Sequence, residues 1–252
     1  MVRGKLGRAV GRKPQETMQN NNGIAFVAGS TGFVGKALVR QLAAAGWVTH
    51  AHVRPDSPQL ADWTEQFGVL GAQISAVPWQ RQSMSAELAK LQVTHVFCCL
   101  GTTRSRMSRD GAVANSYEAV DFGLPKLLAE ASAATATVVR YVYLSSVGAG
   151  PNARGAYLQW RWKAEQAVRS SGVAWTIARP SIIRGERGEP RLGEHLAGKV
   201  ADSALKVLGA LGAATLRDRY KSTDDGTLAR ALLRLATDPE AAGATVESEG
   251  LH

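Results

Sequence analysis

The sequence predicts an α/β protein built on one doubly wound parallel sheet, with a small helical region added towards its C-terminal end. Three observations predict it. From residue 24 onward, short apolar runs alternate with longer amphipathic ones. The first run leads straight into a glycine-rich turn, VAGSTGFVGKALV. A length of 252 residues at 45% hydrophobic content suffices for one sizeable core. Strands alternating with helical stretches of about 10 to 15 residues indicate βαβ units and a parallel sheet. Right-handed crossovers then place helices on both faces.

Taken in order, IAFVA (24–28) reads as a strand and FVGKALVRQLAAAG (33–46) as a helix, with Val34, Leu38 and Leu42 on one face. WVTHAHV (47–53) is the second strand. A helix follows over 57–67, a short strand over 73–77 and a helix over 82–91. VTHVFCCL (93–100) is the fourth strand. A long helix is expected over 112–134, a strand over 138–146, a helix over 157–171 and a strand over 173–179. After Pro180 the rhythm changes. A charged, glycine-rich loop (185–195) precedes a helix of small residues (196–212), another helix (224–237) and a last strand (243–248). Residues 23–252 are read as one domain. Within it, 181–252 supplies a small lid beside the strand ends, where ligands bind in open α/β sheets, and the last sheet element.

The net charge of +9 is unevenly spread. Residues 1–22 carry Arg3, Lys5, Arg8, Arg12 and Lys13 against Glu16 alone. This polar, aperiodic stretch is read as a flexible basic arm. It lacks the apolar segment of a secretory signal. A weak organelle-targeting segment and a wrongly assigned start are the alternatives. Scattered cations without an aromatic platform do not make a nucleic-acid site, so nucleic acid is not expected as a partner. No apolar run reaches the length of a membrane span. Cys98 and Cys99 are adjacent on a strand and point to opposite faces. They suggest no disulfide framework, and a reducing, cytoplasmic setting is expected.

Gly29, Gly32 and Gly35 follow the first strand and open the first helix. In that context the spacing points to a bound dinucleotide. Gly29 permits a tight turn, Gly32 lets the backbone approach a pyrophosphate, and Gly35 lets the helix pack on the sheet. Ser30, Thr31, Phe33 and Val34 complete the loop and the first helical turn, whose N–H groups favour an anion. A P-loop is excluded: Ser30 stands where that motif needs glycine, and Ala37 where it needs Ser or Thr. Beyond the second strand, Arg54 occupies the region where an NAD site carries Asp or Glu. Its fork of donors suits a 2′-phosphate, so NADP is expected. Asp56, bonding the ribose from the loop, keeps NAD as the alternative.

Leu100, Gly101 and Thr102 leave the fourth strand on the nicotinamide side and are small or apolar enough to pass close to it. Arg104, Arg106 and Arg109 follow, placed either to meet an anionic substrate or the phosphates, or to sit in solvent. His50 and His52 share a strand face without a third ligand in sequence, and are read as core or edge residues, with no metal site expected. YVYLSSVGAG ends a strand in Ser145 and Ser146, and Tyr157 follows on a helix in YLQWRWK. A strand-end serine and a helix tyrosine can converge at the sheet edge and move a proton while hydride passes to or from nicotinamide. A tyrosine needs a nearby cation to favour its phenolate. Arg161, four residues on, shares the face of Tyr157, whereas Lys163 points elsewhere. A guanidinium supplies charge but does not shuttle a proton.

The segments GSTGFVG, CCLGTTR, YLSSVGA, YLQWRWK and WTIARPSII together resemble the extended or atypical short-chain dehydrogenase/reductases, and within them the TIP30-like oxidoreductase group. The resemblance covers roughly 24–184, with a weaker echo in STDDGTLARALLRL. It implies a Rossmann core binding NADP(H) at Gly29, Gly32 and Gly35, a catalytic tyrosine at Tyr157 and a serine at Ser145 or Ser146. The family lysine falls on Arg161, a departure from the pattern. Two functions follow. One is an NADP(H)-dependent oxidoreductase acting on a small carbonyl or alcohol, as a monomer or as a homodimer through the helices at 112–134 and 157–171. The other is a cofactor-binding redox-sensing, regulatory or scaffold protein with little turnover.

Overall fold

The computed structural model describes residues 22–102, 116–181, 183–184 and 223–252. Its sheet has seven parallel strands in the order β3-β2-β1-β4-β5-β6-β9. The strands are β1 (Ile24–Ala28), β2 (Val48–His52), β3 (Gln73–Ser75), β4 (His95–Cys98), β5 (Arg140–Leu144), β6 (Ala174–Arg179) and β9 (Thr245–Glu247). The chain works outwards from β1 to β3, returns to β4 on the other side of β1, and continues to β9. The change of direction lies between β1 and β4, the switch point at which such sheets bind ligands.

Helices cover both faces. On one side lie α1 (Phe33–Ala44), α2 (Leu60–Val69) and α6 (Asp225–Thr237), packed on Ala25, Val27 and Ala51. On the other lie α3 (Arg81–Lys90), α4 (Leu124–Ala133) and α5 (Ala156–Ser170), packed on Phe26, Ala28 and Val96. Adjacent residues of β1 therefore feed opposite cores, the pattern of a central parallel strand. The anticipated doubly wound fold is observed, with most element ends a few residues inside the expected ones.

The stretch expected as one α-helix over 112–134 differs. Its first part, 112–115, lies outside the described residues. The rest opens with a π-helical segment, Tyr117–Gly123, before α4. The reason is Pro125, which has no N–H to give the Asp121 carbonyl four residues back. The Tyr143 hydroxyl bonds that carbonyl instead, at 3.4 Å. The Ser116 hydroxyl caps the segment by accepting from the Ala119 N–H at 3.1 Å.

Residues 223–252 are built into the body of the domain. Leu228, Leu232 and Leu235 of α6 are buried in the core shared with α1. The Asp224 carboxylate caps α6 by accepting the Thr227 N–H at 2.8 Å. β9 extends the sheet beside β6. A two-stranded ladder of β7 (Ile183–Arg184) and β8 (Thr223–Asp224) was not anticipated. The basic arm through residue 21, the loop at 185–195 and the helix at 196–212 lie outside the described residues. No described helix is long and apolar enough to cross a membrane.

Candidate active site

The glycine loop is set by backbone crowding. Gly29 has φ +78°, and a Cβ there would lie 2.7 Å from the Cys99 carbonyl oxygen. A Cβ on Gly35 would lie 2.1 Å from the Gly29 carbonyl oxygen, so only glycine lets α1 approach the turn. The Gly32 N–H closes the turn on the Gly29 carbonyl at 3.0 Å. Gly32 then caps α1 without a side-chain bond, and no acidic residue occupies the first turn. The N–H groups at Phe33, Val34 and Gly35 thus lack a side-chain cap, at the positive end of the helix dipole. This fits a dinucleotide pyrophosphate. Ser30 is buried, and its hydroxyl donates to the His52 carbonyl at 2.7 Å, tying the loop to the end of β2. Thr31 is half-buried.

Arg54 follows β2 and pairs loosely with Asp56 at 3.8 Å. Its side chain is 57% exposed, so the fork is open to solvent beside the loop. On the other side of β1, the register Ala28↔Cys98 brings the β4 exit level with Gly29. Leu100 and Gly101 are half-buried there, and Thr102 is buried. Arg104, Arg106 and Arg109 lie outside the described residues. His50 and His52 are buried, and His52 Nε2 bonds the Val77 carbonyl at 2.8 Å. Burial lowers both imidazole pKa values. No group of metal-ligating side chains is assembled among the described residues.

Tyr157 and Arg161 share the face of α5 that meets the π-helical segment. The Arg161 guanidinium carbon lies 5.3 Å from the Tyr157 ring centroid. The Tyr117 ring packs against Tyr157 at 5.5 Å between centroids. Arg161, which the resemblance places on the family lysine, is buried and fully engaged at its tip. Nη1 donates to the Tyr143 hydroxyl at 3.1 Å and to the Leu144 carbonyl at 3.0 Å. Nη2 pairs with Asp121 Oδ1 at 3.0 Å. Burial works to lower the Arg161 pKa, but Tyr143, Tyr157 and Asp121 outweigh it, and the guanidinium stays charged. Asp121 also accepts the Thr102 N–H at 3.2 Å, joining the β4 exit to the tyrosine helix. Lys163 is exposed, its ammonium 3.8 Å from the Trp160 ring centroid.

The two strand-end serines part company. Ser145 is buried and its hydroxyl donates to Glu165 Oε1 at 2.6 Å. Ser146 is half-buried and donates to the Val147 carbonyl at 3.3 Å. The sequence reading missed Asp121, Tyr143, Tyr117 and Glu165. A spacing signal existed for one: Glu165 lies eight residues beyond Tyr157, on the same helix face.

A glycine cradle at the switch point of a doubly wound parallel sheet defines a dinucleotide-binding protein of the Rossmann class. The chain belongs to the NAD(P)H-binding family, which matches residues 29–203, and is an atypical short-chain dehydrogenase/reductase. It is 31% identical over 187 residues to the mitochondrial protein fmp52 of Emericella nidulans, covering 73% of this chain and 76% of that one. It is 26% identical over 186 residues to the chloroplastic protein TIC 62 of Pisum sativum, covering 66% of this chain but only 34% of that protein. Its fold matches a short-chain type dehydrogenase/reductase of Mycobacterium ulcerans with a TM-score of 0.62 at 15% identity, over 90% of this chain and 89% of that one. These findings bear out the resemblance to atypical short-chain dehydrogenase/reductases.

Proposed function

We propose that this chain is an NADP(H)-dependent oxidoreductase that interconverts a small carbonyl and its alcohol, with Tyr157 as the proton donor and acceptor. The observation that carries the reading is the placement of Tyr157, over a charged guanidinium 5.3 Å from its ring and on the helix tied to the β4 exit. The nicotinamide, when bound, supplies or takes the hydride. The chain's residues do the rest. The first turn of α1 holds the pyrophosphate, and Arg54 takes the 2′-phosphate. Leu100 to Thr102 border the nicotinamide. Tyr157 passes a proton to or from the substrate oxygen, Ser145 and Ser146 hydrogen-bond around it, and Arg161 supplies positive charge behind the ring. The setting we propose is the reducing cytoplasm, which imaging of the tagged full-length chain would test.

A second reading is a cofactor-binding regulatory or scaffold protein with little turnover. It is favoured by Arg161, whose tip is spent on Asp121, Tyr143 and Leu144. Steady-state assays over a panel of small aldehydes, ketones and alcohols separate the two. The first reading expects NADPH-dependent turnover that falls by about 100-fold or more in Tyr157→Phe. Tight NADPH binding without turnover in the wild-type chain supports the second. Tighter binding of NADH than NADPH overturns the cofactor assignment.

A further inference from the structure

The serine pair at the end of β5 sits on a buried charged network that the proposed reaction does not use. Glu165 is wholly buried, two helical turns beyond Tyr157 on the same face of α5. Its carboxylate is filled by donors. Oε1 takes the Ser145 hydroxyl at 2.6 Å and Arg179 Nε at 2.9 Å. Oε2 takes Arg179 Nη2 at 2.6 Å, with Arg169 Nη2 at 3.8 Å. Arg179 in turn gives Nη1 to Glu247 of β9 at 2.9 Å.

A carboxylate paired with a guanidinium only accepts hydrogen bonds, and a serine hydroxyl has one proton to give. The proton of Ser145 is therefore spent on Glu165, and its oxygen retains only acceptor capacity. Ser146 is bound differently. Its one side-chain bond among the described residues, to the carbonyl of the next residue, is long at 3.3 Å and is made at a half-buried position. A carbonyl oxygen needs donors, and of the two serines only Ser146 has a proton to release to one.

We propose that Glu165 is a positioning residue that fixes the hydrogen-bond polarity of the serine pair. It holds Ser145 as an acceptor, which suits the hydroxyl of an alcohol, and leaves Ser146 as the donor to a carbonyl oxygen. The inference rests on the oxidoreductase reading above and assigns distinct roles to two adjacent serines. Arg179 and Glu247 keep the Glu165 carboxylate from turning away, so the last strand of the sheet takes part in setting the site.

The test has two arms on the full chain. The first reads the bond without turnover. Proton NMR of the NADP-saturated protein should show a slowly exchanging downfield hydroxyl resonance that disappears in Ser145→Ala and moves upfield in Glu165→Gln. Absence of that resonance, or no shift in Glu165→Gln, overturns the proposal even if carbonyl reduction proceeds. Its presence in a protein that reduces no carbonyl sinks the oxidoreductase reading and leaves the Ser145–Glu165 assignment standing. The second arm is a kinetic cycle among variants that still bind NADPH. Ser146→Ala should lower kcat for carbonyl reduction by about 100-fold, the typical cost of one donor to a reacting oxygen. Glu165→Gln should lower kcat by about 10-fold, with unchanged NADPH affinity, and should cost nothing further once Ser145 is alanine. Equal losses from Glu165→Gln in both backgrounds mark a merely structural role and overturn the proposal. Should Glu165→Gln fail to fold, the comparison of wild type, Ser145→Ala and Ser146→Ala decides: loss of carbonyl reduction in Ser145→Ala but not Ser146→Ala overturns it.

Discussion

The Arg161 guanidinium and the Asp121 carboxylate form a 3.0 Å ion pair with their side chains 6% and 0% exposed. This pair gives a physical setting to the arginine that the resemblance places at the family lysine. An arginine tip reaches past the tyrosine into the protein and needs an anion there, and the π-helical segment provides one. Removing one partner of a buried pair leaves an uncompensated charge, which costs about 3–5 kcal/mol. Asp121→Ala should therefore lower unfolding stability by about that amount in urea titration. Replacing both residues with Leu and Met should recover most of the loss, because well-packed apolar side chains commonly match a buried pair. A double variant as unstable as Asp121→Ala would show that the carboxylate matters for another reason, such as its bond to the Thr102 N–H.

Gly101 passes directly over that pair. A Cβ there would lie 2.2 Å from Arg161 Nη2 and 3.3 Å from Asp121 Oδ1. A free arginine tip would swing aside, but this one is held by Tyr143, Leu144 and Asp121. Gly101→Ala should thus break the ion pair rather than only crowd it, destabilising the protein by about 2–4 kcal/mol. In an Arg161→Met background the same substitution should cost less than about 1 kcal/mol, because the atom it meets is gone. Chemical denaturation of the four proteins reads this coupling directly, and equal costs in both backgrounds would refute it.

How much of this was legible beforehand differs by element. The parallel sheet followed from apolar alternation, because strands buried on both faces leave continuous runs such as IAFVA. The glycine loop was legible because each glycine answers a local crowding problem. Helical spacing put Arg161 beside Tyr157, which the structure shows, but it could not say where the guanidinium ends. That depends on Asp121, forty residues earlier in the chain, and on a π-helical turn. The signal for the turn was Pro125, whose missing N–H frees the Asp121 carbonyl for Tyr143. The two serines looked equivalent in sequence. What separates them is Glu165 and its bond to Arg179, a contact between α5 and β6 that no local pattern encodes.

Cys98 lies at the buried end of β4, and burial pushes its thiol pKa up to about 11. The raised value means that the thiol, not the thiolate, prevails over the whole neutral range. Since the thiolate is the nucleophile, Cys98 should resist alkylation by iodoacetamide at pH 8 in the native protein. Labelling should rise with pH towards 11 and should become rapid at pH 8 once the chain is unfolded. Peptide mass spectrometry after timed labelling distinguishes this residue from Cys99. Fast native labelling of Cys98 at pH 8 would contradict its burial.

Arg54 and Asp56 form an exposed pair at 3.8 Å, with side chains 57% and 74% exposed. Pairs of this kind contribute little to stability, about 0–1 kcal/mol, so the pairing does little to keep Arg54 from a stronger anion. A 2′-phosphate is such an anion, and a charge-assisted hydrogen bond to it contributes about 1.5–3 kcal/mol. Arg54→Ala should accordingly weaken NADPH binding by about 10- to 100-fold while changing NADH binding by less than about twofold. Asp56→Ala should act in the opposite direction and strengthen NADPH binding by a few fold, because it removes a negative charge beside the phosphate. Unfolding stability should move by less than about 0.5 kcal/mol in either variant, since both side chains lie at the surface. The discriminating measurement is fluorescence titration of both cofactors at two salt concentrations. The preference for NADPH proposed for this chain should shrink as salt rises, because Arg54 is open to solvent. An Arg54→Ala protein that binds NADPH as tightly as the wild-type chain would remove Arg54 from the cofactor site.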